Sequence, residues 1–241
     1  FAAVGPDATI CAGTTLQLNG SGGNTYAWQP PFPILSNTAI PNPVFGPAAV
    51  GTYTVSAQVT NAALCTDRDT TLITVAPLPI ANPGPNQSLC LGDSVQIGTP
   101  AQPNMDYTWA PAFGLSDPLI AQPWFTGLLT GTYNLSLVVV DMGTSAACSD
   151  TASVTVTVVD TPQVALTAVG DTICLGNSSM ISAIPSGGLL PYSYVWSNAQ
   201  TTASQAVTPT ATTTYTATIT DASNCRTSGN VTVVVNDTAT L

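Results

Sequence analysis

Six cysteines are the most reactive groups in this chain, and their spacing is regular. Cys11, Cys90 and Cys174 each open a Cys-x-Gly triplet, and Cys65, Cys148 and Cys225 follow, one behind each triplet. None belongs to a Cys-x-x-Cys pair. Two cysteines per unit read as disulfides made in an oxidising compartment. Other reactive chemistry is poorly supplied. There is no His, Lys or Glu; the 12 acidic residues are all Asp, and the two basic ones are Arg68 and Arg226. A general base could only be a carboxylate, and a nucleophile–His pair is impossible. Asp67 and Asp69, alternate in sequence, lie on one face of any strand that holds them. They are the weak candidate for Ca²⁺, which needs roughly 6–8 oxygens, many from the backbone. A solvated hairpin end is the simpler reading. The expectation is no catalytic residue, no cofactor and no bound transition metal: not an enzyme.

Charge narrows the partners. Only 6% of residues are charged, the net charge is −10, and 44% of the chain is hydrophobic with a mean hydropathy of +0.31. Disorder goes with low hydrophobicity and high net charge, so a folded chain is expected. Nucleic acid and anionic membrane both need basic patches, and neither suits this composition. No apolar run approaches the roughly 18 residues of a membrane span. The chain opens at Phe1 with no signal peptide, which reads as a processed or excerpted protein.

The elements that must hold the cysteines recur with them, about 80 residues apart. Behind each Cys-x-Gly comes a Tyr-x-Trp: Tyr26 and Trp28, Tyr107 and Trp109, Tyr194 and Trp196. A Thr-Tyr strand start then follows, at Tyr53, Tyr133 and Tyr215, before the second cysteine. Alternating polar and apolar residues mark half-buried strands at 15–18, 53–59, 133–140, 215–220 and the closing segments 70–75, 152–159 and 231–235. Pro30 should end the first Tyr-x-Trp strand, and 31–50 can hold only short edge strands. Val, Thr, Ile and Tyr dominate, and no helical period exceeds two turns. About seven short strands around one Trp is the pattern of an immunoglobulin-like sandwich. The expected architecture is all-β: three tandem sandwiches over 1–77, 78–160 and 161–236, with 237–241 starting a following strand. The linkers around Pro77, Pro79 and Pro83, and at Pro162, are short and semi-rigid, so the three should form an elongated rod. Trp28, Trp109, Trp196, Tyr53, Tyr133 and Tyr215 are the expected core, each Tyr hydroxyl bonding nearby backbone.

In repeat two, the run from Pro85 through Cys90-Leu-Gly92 to Val95, then Trp109-x-Pro111-x-x-Gly114-Leu115-Ser116, then Gly131-Thr-Tyr133 resembles the PKD-like and Ig-like repeats of Bacteroidetes surface proteins. Repeats one and three carry looser forms, with 30–36 replacing Gly-Leu-Ser and Trp196-Ser-Asn198 departing from it. The Gly-Asp-Gly that follows Trp in many PKD domains is missing. The resemblance implies arrays in giant adhesins, gliding-motility proteins and cargo of the type IX secretion system. It also implies an O-glycosylation signal, Asp followed by Ser or Thr and an apolar residue, at Ser94, Thr151, Thr172 and Thr238; an Asp-Thr strand start reads equally well. Function is then expected to be structural: an extracellular, cell-surface shaft of an adhesin or filament, whose partners are further copies or repeats end to end. The alternative is a carbohydrate-binding or accessory module, with a surface glycan as ligand. Its best support is Trp124-Phe125, read as an exposed aromatic patch confined to repeat two.

Two further expectations concern connectivity. The tail from Val235 parallels the opening of repeat three, and the head Phe1 to Gly5 parallels Leu166 to Gly170, as in a window cut from a longer array. The first cysteine of each repeat precedes strand B and the second follows strand F, at opposite poles of a sandwich. Residues 53–60 span roughly 25 Å, while a disulfide needs Cα atoms within about 7 Å. Cross-repeat bridges Cys11–Cys148 and Cys90–Cys225 are therefore favoured, with Cys65 and Cys174 left for neighbours. The intra-repeat alternative is Cys11–Cys65, Cys90–Cys148 and Cys174–Cys225.

Overall fold

The computed structural model describes residues 1–30, 34–46 and 48–236; the tail 237–241, with Thr238, and the Pro31–Pro33 segment lie outside them. Six strands make repeat one: β1 (Ala8–Cys11), β2 (Leu16–Gln17), β3 (Thr25–Gln29), β4 (Val44–Phe45), β5 (Gly51–Thr60) and β6 (Thr66–Ala76). Repeat two contains β7 (Gln87–Cys90), β8 (Ser94–Gln96), β9 (Met105–Ala110), β10 (Trp124–Thr126), β11 (Gly131–Asp141) and β12 (Ser149–Val159). Repeat three contains β13 (Gln163–Val169), β14 (Thr172–Cys174), β15 (Ser179–Ser186), β16 (Ser193–Trp196), β17 (Ser204–Val207), β18 (Thr213–Thr220) and β19 (Arg226–Asn236). No α-helix occurs among the described residues.

Each repeat packs a four-stranded sheet against a smaller one. The larger sheets run β1-β6-β5-β3, β7-β12-β11-β9 and β14-β19-β18-β16; the smaller are β2-β4, β8-β10 and β13-β15-β17. The long hairpins β5–β6, β11–β12 and β18–β19 carry the alternation read from sequence, Val, Leu and Ile turning inward every second residue. Three separate cores result. They run from Val4 to Val75, from Ala81 to Val158 and from Ile173 to Val233, each around one indole. Trp28, Trp109 and Trp196 are at most 2% exposed. Their Nε1 groups donate to the carbonyls of Ile40, Ile120 and Thr202 at 2.9, 3.0 and 2.8 Å, so burial leaves no indole N–H unpaired. Gly20 and Gly98 sit under the first two rings: an added Cβ would come within 2.7 and 3.1 Å of their Cζ2 atoms. Gly20 thus clears space for Trp28.

The repeated tyrosines lie over the cores. Tyr53 and Tyr133 donate to the carbonyls of Ala49 and Leu129, both at 2.8 Å, closing the corner four residues upstream. Tyr215 is buried. The Gly114-Leu115-Ser116 motif also acquires a role. The Ser116 hydroxyl accepts from the Trp124 amide, as Ser36 does from Val44, fixing the loop to the short strand behind it.

Two features differ from the sequence expectation. A short strand ends at the first cysteine of every repeat and pairs in parallel with the closing strand: β1 with β6, β7 with β12, β14 with β19. Four residues are too few for a period to show. An ordered opening strand, β13, pairs with β15 only in repeat three. In repeat one a single bridge, Ala3 to Ser21, takes its place. In repeat two the lead-in carries Pro77, Pro79, Pro83 and Pro85, which cannot donate to a ladder.

Candidate functional site: the cysteine joints

The closing strand of each repeat is the ruler for the cysteines. Cys11 pairs with Ala76 at the end of β6, whereas Cys65 precedes Thr66 at its start. Cys90 likewise pairs with Val159, and Cys174 with Asn236, at the far ends of β12 and β19. All three closing strands are 11 residues long, or roughly 33 Å. The two cysteines of one repeat are therefore at opposite poles and out of bonding range.

Across a joint they meet. Cys11 bonds Cys148 with 5.5 Å between Cα atoms, and Cys90 bonds Cys225 with 5.6 Å. The first cysteine of one repeat is thus covalently bound to the second cysteine of the next, and the same step recurs at the next joint. Each joint is held at two points, the peptide linker and the disulfide. Cys148 and Cys225 are at most 1% exposed, while Cys65 and Cys174 are free and exposed.

Local structure explains why the pairs line up. Each first cysteine ends its strand in the same turn: the next amide (Ala12, Leu91, Leu175) donates to the carbonyl of Ala76, Val159 or Asn236. The amide three residues on (Thr14, Asp93, Asn177) donates back to the cysteine carbonyl. Glycine follows at Gly13, Gly92 and Gly176 with φ between 84° and 92°, which L side chains rarely adopt. Each second cysteine follows a residue at positive φ: Leu64, Ala147 or Asn224. Asn61, Asp141 and Asp221 open these loops; their amides donate to the carbonyls of Cys65, Cys148 and Cys225.

The remaining candidates separate. Asp67 and Asp69 do stand on one strand face, but they are taken up by the chain's own opening segment. Asp67 Oδ2 accepts the Ala2 amide at 2.7 Å and Asp69 Oδ2 the Val4 amide at 3.0 Å. Asp150 accepts the Ala81 amide in the same way in repeat two. The Ala2 amide first, then that of Arg68, holds the Asp67 carboxyl below the usual carboxylate range. No group of three or more metal-ligating side chains occurs among the described residues. Trp124 is half exposed at 51%, but Phe125 is fully buried. The aromatic patch therefore loses its second ring, because successive residues of β10 point to opposite faces. Phe125 has a counterpart in buried Phe45, and each forms a bridge to its loop leucine, Leu115 or Leu35. Ser94, Thr151 and Thr172 are exposed, and Ser94 and Thr172 begin strands.

Solved structures share the fold. The I67–I69 fragment from the titin I-band matches with a TM-score of 0.51 at 12% identity, over 99% of this chain and 98% of that one. An E-to-A variant of those three domains gives 0.50 at 13% identity. The chain is a tandem of immunoglobulin-like domains. The N-terminal eight Ig domains of Down syndrome cell adhesion molecule give 0.51 at 11% identity, with 98% of this chain spanning 36% of that one. At such identities the likeness is one of fold. No protein-family model and no curated protein matches the sequence.

Proposed function

We propose that the chain is a structural, force-carrying segment of an extracellular surface shaft, built of Ig-like domains end to end. The observation that carries this reading is the repetition of one cross-repeat disulfide at two successive joints. A bridge inside a sandwich protects that sandwich; a bridge between sandwiches suppresses hinging, which matters when force passes from one to the next. Disulfides persist outside the reducing cytosol. The Cys-x-Gly and Trp-x-Pro motifs resemble repeats of Bacteroidetes surface adhesins and filaments, which suits the same location. A surface without Lys and with only Arg68 and Arg226 offers few sites to proteases that need basic residues. Ser94, Thr151 and Thr172 are candidate O-glycosylation sites on this shaft. Glycan binding keeps Trp124 as its support, without a second stacking ring beside it on β10. No reaction chemistry enters this reading.

Small-angle scattering tests the shape. A stapled rod of three sandwiches, each roughly 33 Å along its closing strand, predicts a radius of gyration of about 30 Å. A value of about 18 Å, that of a compact 241-residue globule, would sink the shaft.

A further inference from the structure

The two free thiols are the unmatched halves of the bridge that the chain forms twice. Cys174 ends β14 in the same turn as the bonded Cys11 and Cys90: Leu175 donates to Asn236, Asn177 donates to Cys174, and Gly176 has φ 92°. Cys65 sits in the repeat-one counterpart of the loop that presents the bonded Cys225. Asn61 Oδ1 accepts from Ala63 and Cys65 at 2.9 and 3.0 Å, as Asp221 Oδ1 accepts from Ser223 and Cys225 at 2.9 Å. Leu64 and Asn224, just before the two cysteines, have φ 60° and 64°. Both half-joints are thus already formed, and they are of opposite kinds.

Exposure marks the same two places. Residues 61–68 are exposed without a break, whereas the matching loop of repeat three buries Asp221 and Cys225. Beside Cys65 an open depression of about 310 Å³ is lined by Phe1, Gly22, Val59 and Asp67. At the other end, residues 174–178 are all exposed. A surface of one kind at one end and its complement at the other makes a heterologous contact, which propagates into a filament wherever the rotation between copies does not close a ring.

We propose that Cys174 of one copy of this chain bonds Cys65 of a second copy, adding a third joint of the internal type and linking copies head to tail. The proposal rests on the shaft reading and names its partner. The bond forms by exchange with a low-molecular-weight disulfide such as oxidised glutathione. One cysteine thiolate attacks it and releases a glutathione thiolate. The second cysteine thiolate then attacks the mixed disulfide and releases the other. Two protein thiols are oxidised and one small disulfide is reduced to two thiols.

The test mixes isotope-labelled and unlabelled protein, incubates it with oxidised glutathione, and reads non-reducing electrophoresis and peptide mass spectra. The expected result is a ladder that collapses on reduction, with labelled Cys65 peptides joined to unlabelled Cys174 peptides. Cys65→Ser or Cys174→Ser alone should abolish the ladder, and an equimolar mixture of the two should give dimers and nothing longer. Both positions are exposed, so neither change threatens folding. Cys65–Cys65 or Cys174–Cys174 bridges, an intramolecular Cys65–Cys174 bridge, or monomers capped by glutathione would each overturn the proposal. The double variant remains a monomer, and its radius of gyration tests the shaft independently of polymerisation.

Discussion

Pulled from its ends until every repeat has unfolded, the oxidised chain is expected to reach about 300 Å, against about 860 Å once reduced. The two bridges overlap in sequence. The shortest covalent path therefore runs from Phe1 to Cys11, crosses to Cys148, returns along the chain to Cys90, and crosses to Cys225. It includes about 84 residue steps at roughly 3.6 Å each. Segments 12–89 and 149–224 stay slack, so only 90–148 is drawn out between the bridges. Single-molecule stretching with and without reductant reads the difference directly. An extension near the full contour length without reductant would mean the staples do not carry load.

Replacing Trp109 with Ala is expected to destabilise repeat two by about 3–5 kcal/mol, the usual cost of removing a buried indole. Trp109 is 2% exposed, lies in a core with Phe125, Leu135, Leu137 and Val156, and supplies the partner of the Ile120 carbonyl. The ring's neighbours cannot collapse into the gap easily, because β9 is fixed in register to β11 from Met105 to Ala110. The calorimetric transition of that repeat should fall by roughly 12 °C or more. The other two cores share no residue with it, so their transitions should move little. A loss below about 1 kcal/mol would remove Trp109 from the centre of the core.

Much of the fold was readable because its signals are periodic. The Tyr-x-Trp triplets, the alternation in β5, β11 and β18, and the Thr-Tyr starts each recur three times, so one repeat interprets the next. The opposition of the two cysteine turns follows from strand length, which alternation gives directly, and the structure places Cys11 beside Cys148. Less regular features escaped. The parallel strands at Ala8–Cys11, Gln87–Cys90 and Thr172–Cys174 are three or four residues long, and their partners lie about 65 residues downstream. Trp124 and Phe125, adjacent in sequence, make a candidate for one exposed patch, whereas only Trp124 is exposed and Phe125 is buried. The alignment of β10 with β4 shows Phe125 and Phe45 as one core position, and a two- or three-residue strand has no period to reveal it. The use of Asp67, Asp69 and Asp150 to fasten the opening segments of repeats one and two is likewise a tertiary contact between residues about 65–69 apart, with no local mark.

The central claim is that the bridges cross between repeats, and the scarcity of basic residues makes it simple to test. Trypsin can cut only after Arg68 and Arg226, which gives fragments 1–68, 69–226 and 227–241. Fragment 1–68 contains Cys11 and Cys65; fragment 69–226 contains the other four cysteines. After alkylation of free thiols, denaturation and digestion without reductant, 1–68 should remain covalently joined to 69–226 through Cys11–Cys148 and separate only on reduction. Release of 1–68 before reduction, carrying an internal Cys11–Cys65 bridge, would contradict the account.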